Sequence, residues 1–204
     1  MSRRVVTRRS ALRILGAGAG SVAVLPWLSE QGVAAFAEIQ RTQAAPALKV
    51  LSASQYATLA ALTEAIIPAD ERSPGAKEAR VADYVDLILS EGDDKLRQEW
   101  LDGLAALDAD AVARFGAPFV GLAGPQVEAM LTDVSRNEKL KEGKTPVEKF
   151  FVTAKQATIH GYYTSEIGIH KELRYKGNQL LAEFVGCQTV DGKDCPHCGQ
   201  KAQA

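Results

Sequence analysis

Residues 145–161 read TPVEKFFVTAKQATIHG, and this stretch decides the fold class. Thr145 and Glu148 have the spacing of a capping box, in which each side chain satisfies the other's open backbone N–H at a helix start. Pro146 suits the first helical position, where its missing N–H costs nothing. Phe150, Phe151, Ala154 and Ala157 then recur at i, i+1, i+4 and i+7, the spacing of one helical face. The pattern predicts a helix that starts after Thr145 and ends near Gly161.

The same grammar recurs upstream. Ser52 and Gln55 form another capping box, after which Tyr56, Leu59, Leu62 and Ile66 share a face until Pro68 stops it. The loop from Pro68 to Gly75 holds two prolines and a glycine, so it is not helical throughout. Val81, Tyr84, Val85, Ile88 and Leu89 predict a second helix, and Trp100, Leu104, Leu107, Ala111 and Phe115 a third that Gly116 and Pro118 end. Gly124-Pro125 opens a shorter one carrying Val127, Met130, Leu131 and Val134, and residues 137–144 read as a solvated connection. No stretch alternates with period two for long, and there are no repeats or sustained heptads. The expected fold is mainly α: a small orthogonal helical bundle of about five helices with an extended, irregular C-terminal tail.

The chain has 204 residues, 46% hydrophobic and 24% charged, which admits one globular domain with an extra segment. Its net charge of −1 conceals an asymmetry. The first 37 residues hold five arginines against Glu30, a charge of +4, and the remaining 167 residues carry −5. A body that acidic lacks the basic stripe a nucleic-acid binder needs, so nucleic acid is not an expected partner. The positive end has the three parts of an export signal: a basic start, the uncharged 15-residue run at 14–28, and the small-residue tripeptide Ala35-Phe36-Ala37 as a cleavage site. Arg8 and Arg9, with Leu12 after them, resemble the twin-arginine address, which is read by a receptor and carries folded proteins. The expected organisation is therefore a signal over 1–37, a linker over 38–50, a helical domain over 51–161 and a partner-wrapping tail over 162–204.

The tail shows no helix longer than a turn or two yet contains apolar and aromatic residues, which suits a segment held against a partner. It also holds the most distinctive motif, Gly161-Tyr162-Tyr163-Thr164-Ser165-Glu166-Ile167-Gly168, followed by Glu172-Leu173, Tyr175, Gly177-Asn178, Phe184 and Gly186-Cys187. With Ile66-Ile67-Pro68-Ala69-Asp70, Pro74-Gly75-Ala76 and Val81-x-Asp83-Tyr84-Val85-Asp86, it resembles the gluconate 2-dehydrogenase subunit 3 family over about residues 51–187. The resemblance implies a small helical subunit without a cofactor or catalytic site of its own. Its implied partner is a FAD-dependent flavoprotein of the glucose-methanol-choline (GMC) type acting on a sugar, sugar acid or alcohol, commonly with a multihaem cytochrome c subunit. FAD and haem c are thus expected in the partner subunits. The implied role is to escort a flavoprotein without its own signal through the twin-arginine translocase into the periplasm. There it would stabilise the flavoprotein, with membrane association through the partner complex. Tyr162, Tyr163, Glu166, Tyr175 and Phe184 are expected at the partner interface; tyrosine suits such a place because it buries a large ring while keeping a polar tip.

Three cysteines lie near the C-terminus: Cys187, Cys195 and Cys198. Exported cysteines form disulfides, and an odd number leaves one for an intermolecular bridge; by the resemblance, Cys187 is the one expected to face the flavoprotein. Cys195-Pro196-His197-Cys198 also looks like a redox motif, and Cys195, His197 and Cys198 are possible metal ligands. These features define the alternative, a stand-alone exported redox or metal-binding protein. Gly199 follows Cys198, so the haem attachment pattern is absent, and no Gly-x-Gly-x-x-Gly follows a strand. His160 and His170 flank Glu166 in sequence, but the reading preferred for them is interfacial and surface.

Overall fold

The computed structural model describes residues 28–42, 45, 47–139 and 144–177. Among these it is all-α, with helices α1 (Glu30–Thr42), α2 (Ala53–Ile66), α3 (Val81–Glu91), α4 (Asp94–Phe115), α5 (Gly124–Ser135) and α6 (Pro146–Tyr163). A 3-10 turn at Phe119–Gly121 and a π turn at Gly168–Glu172 complete the described elements. Residues from Tyr175 form a separate unit, of which only Tyr175, Lys176 and Gly177 are described. No described helix is long and apolar enough to cross a membrane.

The five helices expected from spacing are α2 to α6, and their ends follow local chemistry. Ser52 Oγ accepts from Gln55 N at 3.3 Å while Gln55 Oε1 accepts from Ser52 N at 2.9 Å. Thr145 and Glu148 make the same exchange at the start of α6, with Asn137 donating to the second carboxylate oxygen of Glu148 at 2.7 Å. These donors, the Thr145 backbone N–H first, hold the Glu148 carboxyl below its ordinary pKa. Gly116 closes α4 at φ +77°, a left-handed conformation that glycine adopts without a Cβ clash.

Two expectations about the chain's organisation need correction. Residues 38–42, expected in a linker, are the last residues of α1, which also runs through the proposed cleavage tripeptide. Residues 49 and 50 of the same linker, and Leu51 after them, are pinned: both carboxylate oxygens of Asp86 accept their backbone N–H groups at 2.7–3.1 Å. The tail expected from residue 162 begins later, because α6 continues through Tyr163 and the π turn follows it. What carries the helix past Gly161 is the burial of Tyr162, at 2% exposure.

The core lies between α6 and its neighbours α2, α3, α4 and α5. Trp100 of α4 stands edge-on to Phe150 of α6, ring centroids 5.5 Å apart, a favoured aromatic geometry. Helix α3 is covered by α1, α2 and α6. Every residue from Val81 to Leu89 is buried, including Asp83 and Asp86. Spacing alone predicts one buried face for this helix; neighbours on several sides bury the rest.

Candidate partner interface

The two blocks of the sequence motif lie 75 residues apart in the chain, from Asp86 to Gly161, and the fold sews them together. In the first block, the loop between α2 and α3 is built on carboxylates. Asp70 accepts from the backbone N–H groups of Arg72 and Ser73, both at 2.8 Å, in a side-chain turn that holds its carboxyl below its ordinary pKa. Glu64 accepts from Ala69 N at 3.2 Å and Lys77 N at 2.7 Å. The loop then enters α3 through Arg80, which stands at φ +58° and is held by a part-buried ion pair to the buried Asp83 at 2.8 Å. Tyr56 of α2 donates its hydroxyl to the same carboxylate at 2.8 Å. Burial and this carboxylate both raise the phenol's pKa, so Tyr56 stays protonated.

In the second block, Tyr162 projects back into that loop. Its hydroxyl donates to Pro74 O at 2.7 Å and lies 2.7 Å from Ser73 Oγ. A phenol has one proton, so Ser73 is the donor in the second bond. Around the ring, Ala76, Ala79 and Val81 form a small apolar cluster flanked by Ile67 and Ile167. The chain reverses just beyond: Ser165 Oγ donates to Tyr162 O at 2.6 Å and accepts from Gly168 N at 2.9 Å. A Cβ at Gly168 would collide with the Tyr162 carbonyl, backbone that has no freedom to yield.

A third contact closes the arrangement. Tyr84 of α3 and Nδ1 of His160 on α6 are hydrogen bonded at 2.5 Å. Burial pushes the Tyr84 phenol up to about 12 and holds the His160 imidazole below its ordinary value, so the pair is neutral. The Tyr84 ring also meets Phe36 of α1 at 5.2 Å. From the end of α1, Gln40 donates to Ala79 O at 3.1 Å and accepts from Glu166 N at 3.3 Å, touching both motif blocks.

What this scaffold presents outward is partly aromatic and apolar. Ile159 and Tyr163 lie at i and i+4 on α6, and both are exposed. Tyr163 stands edge-on to buried Tyr162, centroids 5.3 Å apart. Leu173 is exposed at the end of the π turn.

The expected interface residues therefore separate. Tyr162 is corrected: it is a core residue whose ring and hydroxyl are both used internally. Tyr163 is 39% exposed, and the Glu166 side chain is exposed while its backbone N–H is held by Gln40. Tyr175, in the second unit, is 50% exposed. Phe184, Cys187, Cys195, His197 and Cys198 lie outside the described residues, as do Arg8, Arg9 and Leu12. His160 and His170 do not converge on Glu166, because His160 is turned to Tyr84 and His170 is exposed on the π turn. Among the described residues, no three His, Cys, Asp or Glu side chains are placed to hold a metal ion.

Sequence reading missed Ser73, Tyr84 and Gln40 as residues that assemble this face, and Asp86 as the residue that holds the chain ahead of α2. One signal was present: Asp83 and Asp86 interrupt an apolar helix, and acids in such a place need a bonded partner.

The protein-family model described as gluconate 2-dehydrogenase subunit 3 matches residues 53–179, well over half of the chain. No curated protein and no solved structure matches.

Proposed function

The chain belongs to the gluconate 2-dehydrogenase subunit 3 family, and from that premise we propose that it is the non-catalytic accessory subunit of a FAD-dependent GMC-type dehydrogenase of the periplasm. The dehydrogenase oxidises a sugar, sugar acid or alcohol, and its flavin and any haem c reside in the partner subunits. The chain lends its twin-arginine leader to the complex, carries the folded flavoprotein through the translocase and stabilises it afterwards. The complex associates with the membrane through the partner subunits, and where a multihaem cytochrome c is among them it passes the electrons to the membrane.

One observation carries this reading. The two motif blocks that define the family resemblance meet in one scaffold, whose polar groups are bonded to each other while Ile159 and Tyr163 remain exposed beside it. An exposed aromatic backed by a rigid, internally satisfied support is the arrangement of an interface anchor. The buried acids Asp83 and Asp86 hold backbone and side chains of this chain, so their role is structural. A permanent complex of this kind buries more than about 2,000 Å² in total.

Co-expression with the flavoprotein tests the proposal. The expected result is a stoichiometric complex recovered from the periplasm, with both subunits retained in the cytoplasm when Arg8 and Arg9 are replaced by lysine. A chain that purifies alone as a stable monomer, beside a dehydrogenase exported without it, overturns the reading.

A further inference from the structure

Helix α1 runs through the tripeptide Ala35-Phe36-Ala37 that the leader pattern marks for cleavage. A processing peptidase binds the residues before the cut as extended backbone, whose N–H and C=O groups pair with the enzyme. Within α1 those groups are engaged in helical bonds, and the helix is fastened on both sides of the Ala37–Glu38 bond.

Before that bond, Ser29 fixes the start of the helix. Its backbone N–H and hydroxyl donate to the Glu91 carboxylate at 2.7 and 2.6 Å, and its Oγ accepts from Gly32 N at 3.0 Å. Phe36 is 5% exposed and packs against Tyr84, which is in turn bonded to His160. After the bond, Ile39 packs on the core and Gln40 ties Ala79 to Glu166. A cut after Ala37 would separate Phe36 from Ile39 and Gln40, and so divide an element joined to both motif blocks.

We infer that α1 is a permanent part of the folded body, and that any removal of the leader falls upstream of Leu28 rather than after Ala37. The inference rests on the export reading only for the existence of a leader. Its structural content is that α1 is closed to a peptidase while the body is folded. A chain carried in the folded state meets the peptidase with α1 already in place. Cutting there requires α1 to open first, at a rate set by the population of the opened form.

The full-length chain provides the test in two measurements. Intact mass and N-terminal sequencing of the chain recovered from the periplasm are expected to give a first residue at or before Leu28. In the purified folded chain, an elastase-type protease, which cuts after small residues, is expected to spare residues 29–42. Phe36→Ala removes the anchor but keeps the alanine context, and raises cutting within that range at least tenfold. Gln40→Ala, which removes only hydrogen bonds, raises it in the same direction by less and serves if Phe36→Ala does not fold. A first residue between Ser29 and Glu38 on the exported chain, or equal cutting of native and variant chains, overturns the inference. If the chain stays in the cytoplasm the export proposal fails, and the protease measurement still decides the status of α1.

Discussion

Tyr162 and Tyr163 are adjacent in sequence and chemically identical, yet one is 2% and the other 39% exposed. Their roles must therefore differ. Tyr162→Phe removes the donor to Pro74 O and the acceptor for Ser73 Oγ and leaves only the long 3.5 Å contact between those two, so unfolding in urea is expected to show a loss of about 1–2 kcal/mol. Tyr163→Ala loses the edge-on contact with Tyr162, about 1 kcal/mol, and is expected chiefly to weaken retention of the flavoprotein in a pull-down, which Tyr162→Phe should leave intact. The reverse pattern would reverse the assignment. His160 makes a second prediction. Burial lowers its folded pKa below the unfolded value of 6.5, so the unfolded chain takes up this proton first as pH falls. Above 6.5 the group leaves stability untouched; below it, stability declines until the lowered folded pKa is passed. His160→Gln keeps the capacity to bond Tyr84 and should flatten that decline. Urea midpoints measured from pH 7.5 to 5 check it, and an unchanged slope would count against a buried neutral imidazole.

Elements show where sequence reading works. The starts of α2 and α6 were legible because a capping box involves residues three apart, and the end of α4 because glycine frees a left-handed backbone at the stop itself. The entry to α3 was not, since Arg80 at φ +58° carries no glycine signal and is held by Asp83. Nor was the ordering of residues 49–51, whose partner is 35–37 residues away. That contact is testable. Asp86→Ala removes the acceptor of three backbone donors and is expected to cost about 2–4 kcal/mol, with Asp86→Asn in between because an amide oxygen still accepts. Chemical denaturation reads both, and a neutral Asp86→Ala would mean that water serves these N–H groups equally well. The π turn was illegible for another reason. Its Leu173 N to Gly168 O bond, 2.9 Å long, follows from a close backbone approach that only the fold creates.

For the whole molecule, the helical unit ends at Arg174 and a second unit begins at Tyr175. The proposed escort role belongs to the first, and the redox or metal alternative belongs to Cys187, Cys195, His197 and Cys198. A chain ending at Gly186 is accordingly expected to keep its melting temperature and to export the flavoprotein. Loss of export, with a metal or dithiol activity vanishing alongside, would favour the alternative. The sequence by itself determined the all-α class, the positions of five helices and the family, because helix periodicity, caps and breakers act within a few residues of each other and so are written locally. Only the tertiary structure decided which of two tyrosines faces outward, that Asp86 holds the chain ahead of α2, and that α1 joins the body rather than a linker. Those outcomes depend on partners tens of residues away, and burial and hydrogen bonding over such separations are fixed only when the helices have packed.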